Sequence, residues 1–565
     1  MKLKQMELQV AYFSMEIMME SDIPSYAGGL GVLAGDLLRS CADMEVPAIG
    51  VSLVYSGTVY AQAIQRDGTQ VFREVDWRKM EQFTKLPYRI TLRLKGEDVR
   101  VGCWRYDFVG LHGFVVPAYL LDTNLEENSE WARSITTNLY EDKWELRFAQ
   151  EALLGVGGVK MVRELGYHRI KTFHMNEGHS TMVSLALLEE NEYVDDRVRQ
   201  QCVFTTHTPI PEGHDKFDYT LAHSVAETYI PWHIKKIASE DIFSMTHLGM
   251  NMSKMSLAVS RKHRAVTEHI FPGHSFGYVT NGVHHRSWIG HFQQDLYQKY
   301  MPGFLDDPML LAGSDRVPDE ALWETHQTAK RELLGYVNKH LISHSPMSTG
   351  VDHTFHDDFE DSILTIAIAR RPVPYKRPLL LYKDVERLRA LGKNKLQIIQ
   401  CGRGSPTDEN AKKIIDEIID ISRALHGDVR VDYLENYSPK IARLLVSGVD
   451  VWLNTPMQPL EASGTSGMKA AMNGVLNFSV PDGWWIEGYI AGVTGWAIGD
   501  GSHRGGGRQL DAESLYEQLG GQVVPMFYND QDRFLSMMIN SIALNGSFFN
   551  TQRMMQEYVT KTYFR

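Results

Sequence analysis

Two stretches of this chain carry residue types that could do chemistry on an anion. The first, residues 461–474, reads EASGTSGMKAAMNG. An apolar run, Asp450-Val451-Trp452-Leu453, leads into it. Ser463, Gly464, Thr465, Ser466 and Gly467 make a small polar turn, and residues 468–472 have helix-forming composition. Strand, turn and helix start, in that order, aim backbone N–H groups and the positive end of the helix dipole at one point, which suits an anion. Lys469 is expected in the first turn of that helix, where a cation is unfavourable unless an anion is close. The same pattern also describes a tight βα turn with a surface lysine. The second stretch, Arg370-Arg371-Pro-Val-Pro-Tyr375-Lys376-Arg377, puts four cations in eight residues directly after an apolar run. Pro372 and Pro374 exclude a regular helix. The cations are therefore expected on display at a strand end, as an oxyanion clamp or as a solvated basic patch.

Elements that could position these groups are legible along the chain. Residues 10–15 read as a first buried strand, and the glycine-rich loop 26–35 opens a helix through Cys41. Gly29, Gly31 and Gly35 are one residue out of dinucleotide-binding spacing, so taken alone the loop is a close-packing turn. Residues 47–122 alternate like strands, and 129–164 have helical periodicity. Apolar segments 170–175, 202–205 and 278–280 each end in a polar loop: Asn176-Glu-Gly-His179, Thr206-His207-Thr-Pro209 and Asn281-Gly-Val-His284. That repetition predicts a parallel α/β sheet with ligands off the carboxyl ends of its strands. The histidines there show no HExxH or other zinc spacing, so no metal is expected. Residues 306–337 read as helical and 344–361 as a polar surface loop. Strands at 363–369, 396–400, 429–434 and 451–454 alternate with helices at 379–391, 409–425 and 440–447, which predicts a second parallel sheet. Residues 512–565 read as helical apart from Asn545-Gly546.

Bulk properties narrow the class. A chain of 565 residues exceeds one ordinary core, so two or more domains are expected. A net charge of −12 argues against a general nucleic-acid binder. The four cysteines, Cys41, Cys103, Cys202 and Cys401, lie far apart and fit a reducing cytoplasm. No run is long and apolar enough for a spanning helix or a signal-peptide core.

EASGTSGMKAAMNG resembles the cofactor-lysine motif of the glycogen and maltodextrin phosphorylases, the α-glucan phosphorylases. The GGLG loop, the arginine–tyrosine–lysine–arginine stretch, Glu435-Asn436-Tyr437 and Asp482-Gly-Trp-Trp-Ile-Glu487 are similar to that family too, so the resemblance runs from Ala11 through Trp496. It implies an α/β protein of the GT-B fold, two facing Rossmann-like domains with an interdomain active-site cleft. The N-terminal domain, with added β-strands, would cover 1–284. The C-terminal domain would cover 285–565 and bind pyridoxal phosphate, with the final helix crossing back. The resemblance places Lys469 as the cofactor lysine, with Arg370 and the backbone of Thr465 and Ser466 at the cofactor phosphate, Tyr437 beside its ring and Trp288 close by. It gives Arg371 and Lys376 to the substrate phosphate. His207 and Asn281 would take glucose hydroxyls, Glu461, Ser463 and Gly464 the sugar, and Gly29, Leu30 and Gly31 would lie over sugar and phosphate. Lys469, Arg371, Lys376 and His207 are then the catalytic set. The chain departs from animal members at Ser466-Gly467, which replace Gly-Asn, and at Arg370, which replaces a lysine. Pro481 stands where close members carry leucine.

The implied reaction is phosphorolysis of α-1,4-glucans (glycogen, starch, maltodextrin) to α-D-glucose 1-phosphate with retained configuration. The cofactor would act through its phosphate, whose second pKa of about 6 suits proton exchange near neutral pH, and no paired carboxylates of the glycoside-hydrolase kind are required. The implied partners are glucan, inorganic phosphate and glucose 1-phosphate, in a cytoplasmic homodimer without nucleic acid, membrane or allosteric control. The first strand begins at residue 10, so the phosphorylatable N-terminal extension of animal members is expected to be absent. Two other readings compete. Nucleotide-sugar glycosyltransferases of the glycogen or starch synthase kind share the fold, but carry a second glutamate eight residues after the first to hold a ribose; here Lys469 stands eight residues after Glu461. A non-catalytic glucan-binding protein would be expected to have lost the lysine or the basic stretch.

Overall fold

Val10–Ser14 is central to the first sheet because its alternate side chains find apolar cover on both faces. Ala11 and Phe13 join one buried cluster, Val10 and Tyr12 another. The computed structural model describes residues 9–20, 23, 25–57, 60–64, 70–74, 82–344, 358–402, 404, 408–499 and 507–563. Most of the surface loop expected at 344–361 therefore lies outside the described residues.

Up to residue 284 the strands are β1 (Val10–Ser14), β2 (Ala48–Leu53), β3 (Tyr60–Ile64), β4 (Gln70–Glu74), β5 (Thr84–Leu94), β6 (Glu97–Val109), β7 (Val115–Asp122), β8 (Thr172–Asn176), β9 (Cys202–Thr205), β10 (Lys216–Phe217), β11 (Phe243–Ser244), β12 (Met255–Ala258) and β13 (Gly277–Tyr278). Among the described residues, nine of these form one sheet in the order β13-β12-β9-β8-β1-β2-β7-β6-β5. It is parallel from β13 to β7, and the long strands β6 and β5 add to its edge antiparallel. The chain runs outward from β1 through β2 to β7, then restarts beside β1 at β8 and runs the other way. The loops after β1 and β8 thus flank the point where strand order reverses, the usual ligand crevice of such sheets.

The second sheet contains β14 (Leu364–Ala369), β15 (Leu396–Cys401), β16 (Arg430–Leu434), β17 (Val451–Asn454), β18 (Leu476–Ser479) and β19 (Gly495–Ala497), in the order β16-β15-β14-β17-β18-β19 and parallel throughout. Its reversal point lies between β14 and β17, so the loops that follow those strands, the basic stretch and the lysine motif, meet the same topological condition. Both α/β series predicted from sequence are present as parallel sheets. Two short strands, β18 and β19, were not anticipated.

Contacts divide the chain into two compact units that do not follow a single cut. One comprises Met1–Val59, Glu74–His284 and Thr551–Arg565, the other Tyr60–Arg73 and His285–Asn550. The β3–β4 hairpin groups with the second unit rather than with the strands that flank it in sequence. Gln70 Nε2 donates to Lys412 O and Asp416 Oδ1, both at 3.2 Å, on the helix Glu409–Leu425. In the first unit the helix Thr551–Tyr558 packs Met554, Met555 and Tyr558 into the cluster that holds Val10 and Tyr12. All four cysteines are free and buried. No helix among the described residues is long and apolar enough to cross a membrane.

A fully buried triad ties the long helix Asp319–His344 to the second sheet. Asp450 Oδ1 lies 2.8 Å from His326 Nε2, and Oδ2 lies 2.6 Å from Lys330 Nζ and accepts the Thr365 N–H at 2.7 Å. Burial raises the Asp450 carboxyl, but Lys330 and His326 outweigh it and hold it below its ordinary value. Lys330→Met strips the carboxylate of its permanent cation. We expect a loss of about 3–5 kcal/mol, read as a lower urea midpoint for the second unit; an unchanged midpoint contradicts the triad's role.

Candidate active site

In the first unit the residues expected to bind ligand sit at the carboxyl end of the sheet. The expected glycine loop is largely helical: a helix runs Gly29–Asp43, so Gly29, Leu30 and Gly31 form its first turn. Glu16, two residues past β1, fixes this start. Its Oε2 accepts the backbone N–H of Ala27 (2.6 Å) and Gly28 (3.1 Å), and its Oε1 accepts Tyr140 Oη–H at 2.8 Å. A Cβ on Gly31 would stand 2.5 Å from Tyr26 Cβ and 2.9 Å from Glu16 Oε2, so only glycine allows this approach. Arg147 stacks over the Tyr140 ring at 4.6 Å while bonding Asp215 (2.6 Å) and Glu151 (3.1 Å).

His207 follows β9. Its Nε2 lies 2.7 Å from Asn176 Oδ1. Burial, with His263, His174 and His179 nearby, pulls the imidazole down to about 3, so it is neutral at working pH. Asn281 is 3% exposed, and its Oδ1 has no hydrogen-bond partner among the described residues.

The second unit holds the other expected residues, and the strand-end cations are not displayed as a set. Arg370 is buried and donates to Lys376 O (3.1 Å), Leu453 O and Asn454 Oδ1, stitching the end of β14 to the end of β17. Burial pulls its guanidinium down to about 10. Arg377 donates to Thr455 O (2.9 Å) and Pro456 O (2.7 Å) and pairs with Asp511 at 2.6 Å. Lys376 pairs with Glu461. Burial lowers its ammonium, but the Glu461 carboxylate outweighs burial and holds it above its ordinary value. Only Arg371 is exposed. Two of the four cations thus build the loop instead of facing outward.

Lys469 is buried, with Nζ 3.4 Å from the centroid of Trp288, the last residue of the helix His285–Trp288. The motif helix runs Ser466–Met472, so Lys469 is its fourth residue, and its N–H already donates to Thr465 O at 3.3 Å. This corrects the first-turn expectation. The helix begins only after Gly464, whose φ of +69° turns the chain, and the lysine lies one step beyond the free N–H groups. Ser466 Oγ accepts the Trp452 indole N–H at 3.1 Å, so that hydroxyl serves the strand–helix joint. Ser463 Oγ and Arg370 Nε are buried without a partner among the described residues. Tyr437 borders the cluster formed by β14–β17 and their helices.

Comparison with known proteins gives this geometry its family. The family model for carbohydrate phosphorylase matches residues 233–491. Maltodextrin phosphorylase of Thermococcus litoralis is 36% identical over 99% of this chain and 70% of its own length. The chain belongs to the carbohydrate phosphorylase family. Glycogen phosphorylase of Aquifex aeolicus is 34% identical, covering 98% of this chain and 86% of its own, and that of Mycobacterium tuberculosis 32%, covering 98% and 70%.

Against the family's cofactor lysine motif, the residues of this phosphorylase-family chain fit a phosphate-bearing aldehyde cofactor. An amine is buried on an aromatic face, and a buried guanidinium nitrogen keeps unspent hydrogen-bonding capacity. Groups of that kind are rare in native interiors and point to an external partner. Among the described residues no cluster of His, Cys, Asp or Glu could hold a metal. Sequence reasoning missed Glu16, Tyr140, Arg147 and Glu177. For Glu16 a signal existed, a single acid inside the apolar run Phe13-Ser-Met-Glu-Ile-Met-Met.

The Glu435-Asn436-Tyr437 loop has a titratable support. His340 lies 3.6 Å from Asp432 and 3.4 Å from Glu435. Burial lowers its imidazole, but the two carboxylates outweigh burial and raise it to about 9. A raised histidine stabilises fully below its unfolded pKa of about 6.5, and that contribution is lost as pH rises through about 9. The thermal midpoint of the parent relative to His340→Gln should therefore narrow across that window. A constant difference contradicts the pairing.

Proposed function

We propose that the protein is an α-glucan phosphorylase that cleaves α-1,4-glucans with inorganic phosphate, releasing α-D-glucose 1-phosphate with retained configuration. The observation that carries this reading is Lys469, a buried amine on the Trp288 ring, eight residues after Glu461. A nucleotide-sugar enzyme needs a ribose-binding carboxylate at that position, and a lysine cannot serve. Relatives named maltodextrin and glycogen phosphorylase over nearly the whole chain support the same conclusion.

In this reading Lys469 would hold pyridoxal phosphate covalently, with Arg370 Nε and the backbone of Thr465 and Ser466 at its phosphate, Tyr437 beside its ring and Trp288 close by. When bound, the cofactor supplies a phosphate that exchanges a proton with substrate phosphate. Arg371 and Lys376 bind and orient the attacking phosphate. Lys376 lies beside Glu461, so the phosphate and sugar sites share a charged boundary, and Glu461 accepts from sugar hydroxyls. Ser463 Oγ and Asn281 Oδ1 satisfy their unspent hydrogen-bonding capacity on the sugar, and the neutral His207 takes a glucose hydroxyl. Gly29, Leu30 and Gly31, fixed by Glu16, cover sugar and phosphate. We further propose the GT-B arrangement, Rossmann-like domains over about residues 1–284 and 285–565 facing across a cleft, with the final helix of the second crossing back to the first, in a cytoplasmic homodimer.

The test is release of glucose 1-phosphate from maltodextrin. Release that depends on phosphate is expected. Glucosyl transfer from a nucleotide sugar, or glucan binding with no turnover, contradicts the proposal and identifies which rival holds.

A further inference from the structure

The geometry points to Glu177 as a positioning residue that sets His207 for the sugar. This rests on the proposed reading of His207 as a glucose-hydroxyl ligand, and extends it to a residue that need not touch substrate.

Glu177 is the first residue after β8, at the strand-order reversal of the first sheet. Its backbone has φ +73° and ψ 167°, a conformation that non-glycine residues rarely adopt and keep only where their surroundings hold them. Its side chain is what that backbone secures. Glu177 is 4% exposed, and its carboxylate accepts the backbone N–H of His207. Thr206 Oγ1–H donates to it as well, 3.2 Å from Oε1. The Glu177 N–H donates to Thr205 O at 2.8 Å, closing the strand ends against each other. The preceding residue, Asn176, meets the His207 ring at Nε2. Two consecutive residues thus hold both the main chain and the ring of His207.

A purely structural turn here would favour glycine, which occupies positive φ without cost. Glutamate at this position makes sense if its carboxylate is needed. Burial, only partly offset by the His207 N–H, pushes that carboxyl up to about 7, so a neutral amide of the same shape is a fair replacement.

The experiment compares Glu177→Gln, Glu177→Ala and Glu177→Gly with the parent. It measures kcat and KM for glucose 1-phosphate with maltodextrin as acceptor, and the thermal midpoint of each. Gln keeps a carbonyl acceptor and is expected to retain most of the parental kcat/KM. Ala and Gly lose both acceptors and are expected to fall by about 100-fold, the scale of a small misplacement of a binding group. Gly, relieved of strain, should melt above Ala yet be as impaired. An Ala variant at parental kcat/KM, a Gln variant as poor as Ala, or activity that ranks with melting temperature so that Gly is spared, overturns the assignment. A parent without phosphorolysis overturns the reading of the site itself; an active parent with an undisturbed Ala variant overturns this inference alone.

Discussion

Lys469→Ala is expected to abolish phosphorolysis and covalently bound cofactor together while leaving both units folded. The side chain lies on Trp288 within a helix in which Met468, Ala470, Ala471 and Met472 are fully buried. Alanine keeps helix propensity, so the helix and the sheet it covers should survive. The chemistry should not. Removing a group without which a reaction cannot proceed costs many orders of magnitude, and here at least about 10³-fold in kcat is expected. Lys469→Arg separates the two contributions of the amine. Arginine retains the cation over the indole ring but cannot hold an aldehyde covalently, so it should be as inactive as alanine and more stable. An active arginine variant would mean that the positive charge alone is used.

Arg371→Ala should spare stability and weaken phosphate use. Arg371 is exposed, unlike Arg370, which ties the end of β14 to the end of β17, and Arg377, which holds the loop after β17. Loss of one charged partner of a transition-state oxyanion costs about 2–4 kcal/mol, on the order of 10²-fold or more. The loss should appear in the dependence of rate on phosphate concentration, with glucan affinity unchanged. Lys376→Met offers the contrast. It removes the partner of the Glu461 carboxylate, so it should impair both phosphate and sugar binding and lower stability as well. Phosphate kinetics in Arg371→Ala equal to the parent's would remove it from the site.

The second sheet was readable because β14, β15 and β17 are short, mostly apolar runs bounded by polar loops and alternating with helical stretches, as strands covered on both faces do. β18 and β19 escaped because Asn477 and Ser479 break the apolar run of one and the other spans only Gly495–Ala497. The basic stretch stands out by its charge density, yet charge density cannot tell a cation that faces a ligand from one that donates to backbone carbonyls; Arg377 does the latter, and Arg370 does so with its terminal nitrogens while Nε stays unspent. The glycine-rich stretch reads as a loop in the sequence because glycine disfavours helices. Its helix forms regardless, since Glu16 holds the residues just before it and close packing admits nothing larger at Gly31. The support of His207 was invisible for a simpler reason. Glu177 acts through a backbone conformation, and the sequence Asn-Glu-Gly-His offers a glycine one position later as the apparent turn residue.

Everything proposed for the chemistry turns on Lys469 as the attachment point of pyridoxal phosphate. The most direct measurement is borohydride reduction of the purified protein in the presence of pyridoxal phosphate, followed by peptide mapping. A single label on the peptide bearing Lys469, with phosphorolysis persisting after reduction because the cofactor acts through its phosphate, is the expected result. A label on another lysine, or full phosphorolysis by protein that carries no cofactor, would contradict it.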